Sequence, residues 1–130
     1  MARQIVAYLD TNVVIRMEAG LIDQISPKAQ KAIESCNLLV SPIVLLELEM
    51  LHEIGRSKYG ASKVVSGLSQ RVGLQICQLP MAAVVMSSLG IKWTREPADR
   101  LIVANAIANN NAPLLTSDRS IHEHYANAIW

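Results

Sequence analysis

Phenylalanine is absent from this 130-residue chain, and aromatic residues make up only 4% of it, although 51% of the residues are hydrophobic. The core must therefore be built from Leu, Ile, Val and Ala. An excess of charge is also lacking: 12 basic and 11 acidic side chains leave a formal net charge of +1. That balance excludes a broad electrostatic face for long duplex nucleic acid, so any nucleic-acid partner must be held locally. Cysteine is limited to Cys36 and Cys77. The two thiols have no metal-type spacing, and in so apolar a chain they are expected to be buried and reduced, as in a cytosolic protein. No stretch approaches the roughly 18 apolar residues of a membrane span. The early run Ile5–Leu9 is stopped by Asp10, too soon for a signal peptide. The expectation is one soluble, cytoplasmic domain over residues 1–130, long enough to bury roughly 65–70% of its unfolded surface.

What the chain does have is concentrated in Glu96–Asp118, EPADRLIVANAIANNNAPLLTSD. Pro97 suits the first position of a helix, where no N–H donor is required. From Asp99 the apolar residues Ile102, Val103, Ala106 and Ile107 follow at helical spacing, which puts Asp99 on the inward face, in the turn where the helix dipole favours negative charge. Asn109–Asn111 ends the helix, and Leu114–Thr116 reads as a short buried strand closed by Asp118.

Upstream, Ile5–Leu9 is the continuous apolar run of a strand covered on both faces. Asp10-Thr11-Asn12 caps a helix through Val13–Glu18. Ser26-Pro27 opens a second helix with Ala29, Ala32 and Ile33 inward, and Leu38–Val40 is a second buried strand. Ser41-Pro42 opens a helix over Ile43–Ile54 that Gly55 stops. Ser62–Val72 is helical, Leu74–Leu79 extended, and Pro80 starts a short helix to about Leu89. A last helix at Ser120–Tyr125 precedes Ala128–Trp130, a candidate edge strand. Strands alternating with helices predict a three-layer αβα domain with a mainly parallel sheet. In such sheets the functional crevice lies beyond the carboxyl ends of the strands.

Asp10 and Asp118 fall at strand ends and Asp99 at a helix start. Each alone is explained as a cap or a first-turn acid. Glu47 is harder to explain, because it shares its helix face with Ile43, Met50, Leu51 and Ile54, and a charge on an apolar face is costly unless paired or metal-bound. Glu49 shares a solvated side with His52, Glu53 and Arg56. Four carboxylates converging on one crevice repel one another and raise one another's pKa. A hard cation relieves this, and all-oxygen ligation suits Mg²⁺ or Mn²⁺. His122 and His124 point away from each other on their helix and offer no competing softer site. With no Ser, Cys or His nucleophile arrangement, the set points to phosphoryl chemistry by an activated water.

With these residues in view the chain resembles a PIN domain, and within that family the VapC-type ribonuclease toxins. The matching pieces are LDTNVVI around Asp10, VSPIVLLELEML around Glu47, PADRLIVANAI around Asp99 and PLLTSD around Asp118. The resemblance implies that Asp10, Glu47, Asp99 and Asp118 hold one or two Mg²⁺ or Mn²⁺ ions. It further implies that a metal-activated water cleaves an RNA phosphodiester, with tRNA and rRNA as the expected substrate classes. Asp10 and Asp99 are then the most direct ligands, Glu47 positions water or metal, and Asp118 completes the site. Thr11, Asn12 and Thr116 match positions that support the acids or touch the scissile phosphate. The resemblance also implies a homodimer silenced by a cognate antitoxin.

Arg56, Lys58, Lys92, Arg95, Arg100 and Arg119 lie in loops or beside the acids, and could guide a phosphate backbone to the metals. Arg100, next to Asp99, is the first choice among them. Trp93 is suited either to stacking on an unpaired base or to ordinary packing. Other readings remain: a free-standing PIN nuclease in RNA processing, an aspartyl-phosphate hydrolase with Asp10 as nucleophile, or a non-catalytic phospho-receiver-like module. The hydrolase would want a second acid where Asn12 stands. The receiver would want adjacent acids near the first strand and a lysine after the last.

Overall fold

The computed structural model describes residues 5–130. Strands β1 (Val6–Leu9), β2 (Asn37–Val40), β3 (Gln75–Ile76), β4 (Leu114–Leu115) and β5 (Ala128–Ile129) form one five-stranded sheet in the order β3-β2-β1-β4-β5. Every pairing is parallel. Helices α1 (Thr11–Glu18), α2 (Pro27–Ser35), α3 (Pro42–Glu53), α4 (Ala61–Val72), α5 (Met81–Ser88), α6 (Pro97–Ala108) and α7 (Arg119–His124) flank it, as the alternation of patterns predicts. No helix among the described residues is long and apolar enough to cross a membrane.

The centre of the sheet is β1, where Ala7, Tyr8 and Leu9 are fully buried. The chain steps outward from β1 to β2 and β3 on one side, then returns to lay β4 and β5 on the other. The direction of winding reverses between β1 and β4, which opens a crevice at their carboxyl ends. Asp10 leaves β1 at that point, and Thr116 and Asp118 leave β4 there.

Local chemistry sets the boundaries. Pro occupies the first turn of α2, α3 and α6. The Asn stretch stops α6 by placing Asn110 at φ 56° and Asn111 at φ 54°, the left-handed region that Asn tolerates better than most residues. The extended segment predicted over Leu74–Leu79 narrows to β3, although Cys77 N still donates to Val40 O at 2.9 Å. Ala128–Ile129 is an edge strand, as expected.

Three sequence expectations need correction. The face of α3 that carries Glu47 is not the core face: Val44 and Leu48 are buried, while Met50 and Ile54 are 54% and 66% exposed. Apolar residues cover most of this helix, so periodicity does not select the packed side. Glu49 is exposed but does more than solvate, since its Oε1 accepts from the Ala61 N–H at 3.0 Å and so satisfies the first turn of α4. The preceding Gly60 permits this approach, because a Cβ there would lie 2.8 Å from that oxygen. Of the two free cysteines, Cys77 is buried but Cys36 only partly so.

One polar cluster lies inside the core. The Tyr8 hydroxyl is 3.1 Å from Cys77 Sγ, Asn105 Nδ2 donates to the same sulfur at 3.0 Å, and Asn109 Nδ2 donates to the Tyr8 oxygen at 2.9 Å. Burial, and then its bond to Cys77, pushes the Tyr8 hydroxyl pKa up to about 12, so it stays neutral.

Candidate active site

Asp10 is the hinge between β1 and α1. It is only 7% exposed. Its Oδ1 accepts from the Thr11 N–H at 2.8 Å, which makes it the N-cap of α1. Its Oδ2 accepts from the Thr116 hydroxyl at 2.6 Å. Thr116 is fully buried, and its oxygen in turn accepts from the Asp118 N–H at 3.0 Å. Asp118 caps α7 through Oδ1 and the Ile121 N–H at 3.0 Å. On the other side the Thr11 hydroxyl donates to Glu47 Oε1. Two threonines thus link three of the acids into one network running from α3 through β1 to the end of β4. Asp99 faces this network from the first turn of α6.

Asp10, Glu47, Asp99 and Asp118 line one cavity of about 340 Å³, together with Thr11 and Asn12 and an apolar wall of Met50, Leu51 and Ile54. The exposed stripe of α3 is therefore the wall of the acidic site, which is why Glu47 belongs with it. A larger groove of about 850 Å³ between α3, α4 and the β3 edge has Glu49 as its one ionisable lining residue, and that carboxylate is engaged in capping.

Burial raises the Asp10 pKa most; the hydrogen bonds from Thr116 and Thr11 offset it, the Asp118 charge adds to it, and the Arg16 guanidinium lowers it. Glu47 is raised by burial, pulled down by its bond from Thr11, and raised again by the charges of Asp10 and Glu96. Asp99 is pushed up to about 6, first by burial and then by the charges of Asp10, Asp118, Glu47 and Glu96. Hard oxygen donors that repel one another are the donor set a divalent cation prefers. Among the described residues no three of His, Cys, Asp and Glu stand close enough together to enclose an ion, so the acids ring the cavity rather than meeting at a point.

Of the supporting residues expected from the sequence, Thr11 and Thr116 orient the acids and Asn12 is exposed on the cavity wall. Arg100 is not brought there: its Nη2 donates to the Ser88 carbonyl at 3.0 Å, which ties α6 to the end of α5. Trp93 stacks on His124 with ring centroids 4.7 Å apart and planes 5° from parallel. His122 is exposed, and its Nε2 lies 2.6 Å from the Thr116 carbonyl. Two residues that sequence reasoning missed act on the acids. Glu96 is the N-cap residue three positions before Asp99, and Arg16 lies one turn after Asn12 on α1. Helical spacing, three residues before Asp99 for Glu96 and four after Asn12 for Arg16, was the signal that could have found both.

Known structures share this fold. A chain of VapBC2 from Rickettsia felis, bound to a promoter DNA fragment, is 20% identical with a TM-score of 0.70, covering 96% of this chain and 96% of that one. A chain of a toxin–antitoxin complex from Klebsiella pneumoniae is 16% identical with a TM-score of 0.62, covering 95% and 96%. A chain of VapBC-1 from nontypeable Haemophilus influenzae is 19% identical with a TM-score of 0.56, covering 97% and 96%. No curated protein matches. The family model for the PIN domain matches residues 7–127, from the central strand to the approach to the last one, and the chain belongs to the PIN domain family.

Proposed function

We propose that this chain, as one PIN domain over residues 1–130, is a Mg²⁺- or Mn²⁺-dependent endoribonuclease of the VapC type, the toxin of a type II toxin–antitoxin pair. PIN domains are generally nucleases, and PIN nucleases typically use divalent metals. The observation that carries the reading is the single cavity ringed by Asp10, Glu47, Asp99 and Asp118 at the reversal point of the sheet. In this reading Asp10, Asp99, Asp118 and Glu47 would share the ion or ions from around the cavity, with water completing the oxygen ligation. When bound, such an ion supplies neutralising charge and activates water.

The chain's own residues do the rest. Thr11 and Thr116 fix the rotamers of Glu47 and Asp10, so the acids meet an ion already oriented. Met50, Leu51 and Ile54 form an apolar wall on one side of the cavity and offer the acids no competing polar partner there. Asp99, with its raised pKa, ionises fully only above about pH 6 unless a cation is present, so metal binding and proton release are coupled. The substrate is RNA, with tRNA or rRNA as its class, in the cytoplasm. An antitoxin partner is supported by structural neighbours described as toxin–antitoxin and VapBC structures, and a homodimer is part of the same reading.

The test is cleavage of a mixed tRNA and rRNA pool by wild type and Asp10→Asn, each refolded from denaturant to strip any antitoxin, with Mg²⁺, Mn²⁺ or EDTA. Cuts that require metal and vanish in Asp10→Asn are expected. Folded protein that neither cuts RNA nor gains thermal stability from Mn²⁺ would sink the proposal.

A further inference from the structure

The acidic cavity has a cation at its rim that the reading above leaves without a task. Arg16 is half-buried on α1 and shares a helix face with Asn12, four residues earlier, which lines the cavity. Its Nη1 donates to Ser117 Oγ at 3.2 Å, and Ser117 is the residue between Thr116 and Asp118. Its guanidinium carbon lies 5.3 Å from the centre of the Trp130 ring. The hydrogen bond goes to a neutral hydroxyl rather than to the Asp118 carboxylate next door. Ser117 takes one of the five N–H donors of the guanidinium, and the Trp130 ring offers it a cation–π contact. The charge also acts on Asp10. A planar cation whose charge reaches Asp10 and whose hydrogen bond goes to the neighbour of Asp118 is placed for an anion that arrives with the substrate.

We propose that Arg16 is a phosphate-binding residue of this site: its guanidinium, propped between Ser117 and the Trp130 ring, takes the phosphate of a nucleotide adjacent to the scissile linkage. The inference rests on the nuclease reading. A fork of N–H donors matches two phosphate oxygens, which a lysine ammonium does not. Three other cations are directed elsewhere: Arg100 to the Ser88 carbonyl, and Lys58 and Lys63 to the Tyr59 ring at 5.3 and 4.1 Å.

The test is the affinity of a labelled mixed-sequence single-stranded RNA for the whole chain in Ca²⁺ buffer, at several salt concentrations. Wild type, Arg16→Ala, Arg16→Gln, Arg16→Lys and Arg119→Ala are compared. Arg119, exposed and next to Asp118, controls for charge alone. Arg16→Ala is expected to weaken binding about tenfold, the worth of a charge-assisted hydrogen bond. It should also lower the salt slope by about 0.7, one phosphate contact on a single strand. Arg16→Gln keeps the aliphatic stem, so it tests the same loss should Arg16→Ala not fold. Arg16→Lys should recover only part of the affinity, and Arg119→Ala should weaken it less than Arg16→Ala does. The Mn²⁺-induced rise in Tm should persist in Arg16→Ala. Equal losses in Arg16→Ala and Arg119→Ala, or wild-type affinity and salt slope in Arg16→Ala, would overturn the proposal. Loss of the Mn²⁺ response in Arg16→Ala would overturn it too, because Arg16 would then be organising the acids. Failure of the nuclease reading looks different: wild type would neither bind nor cut RNA.

Discussion

Two polar clusters lie within reach of the same strand. Tyr8, Cys77, Asn105 and Asn109 meet on one side of β1; Asp10, Glu47, Asp99 and Asp118 ring the cavity beyond its end. In the first, every member is neutral and the donors and acceptors match, so burial costs little and the cluster ties α6 to β1 and to the segment after β3. In the second, every member is an acid. Two hydroxyls orient the acids, but burial, and after it the nearby charges of the same sign, push Asp10, Glu47 and Asp99 upward. A cluster made to hold the fold together satisfies itself; the acidic one leaves charges of one sign facing one cavity. Arg16 supplies positive charge without closing an ion pair.

That contrast can be broken by mutation. The largest effect is expected from Asp10→Asn, which should reduce cleavage of the RNA pool by about 100-fold or more, since even supporting residues of a metal site are worth 10–100-fold. Retained cleavage in a folded Asp10→Asn protein would remove the distinction between the clusters. Asn105→Ala strikes the other cluster and leaves Cys77 short of a donor. It should cost about 1–3 kcal/mol of stability, read by urea titration, with cleavage per folded molecule unchanged. A large loss of specific activity there would mean that the neutral cluster also serves the site.

Thr116→Val keeps the shape but removes the donor to Asp10 Oδ2 and the acceptor for the Asp118 N–H. Cleavage should fall about tenfold, and the acid limb of its pH profile should move to higher pH, because Asp10 loses a bond that favours its ionised form. An unmoved limb would detach Thr116 from the ionisation of Asp10.

The smallest expected effect is on stability against pH without metal. The folded Asp99 carboxyl, at about 6 against an ordinary 3.8, holds its proton more tightly than the unfolded one. Its contribution is therefore full below the unfolded value and lost as pH rises through the folded one. The Tm of wild type should decline across that window, and Asp99→Asn should flatten the decline. Asp99 is only partly buried, so after allowance for solvent screening the difference is about 1 kcal/mol, or a few degrees. Added Mn²⁺ should reverse the trend in wild type. An identical decline in both proteins would show that neither burial nor the other acids raise the Asp99 carboxyl.

Much of the frame was legible because it is written locally. Pro97 and the Asn109–Asn111 stop delimit α6 to within a residue, and Asp10 and Asp118 cap the helices that follow them, as read from residue type and spacing. A charge among apolar residues marks Glu47 in the sequence, but the reason is not burial: Met50 and Ile54 on α3 are exposed around the cavity, not packed in the core. Adjacency to Asp99 in the sequence points to Arg100. On a helix, however, consecutive residues point about 100° apart, and this one runs to Ser88.

The sequence by itself determined the strand–helix alternation, the helix starts and stops, and the placing of three acids at the ends of elements, because caps, prolines and apolar runs act through bonds within a few residues. Tertiary structure alone decided which stripe of α3 packs, that Thr11 meets Glu47 and Thr116 meets Asp10, and that Arg16 reaches Ser117. Those contacts join residues 36 to 106 positions apart. They exist only because the sheet reverses its winding between β1 and β4 and packs helices over the join, a geometry set by the burial of the whole core rather than by any one stretch of chain.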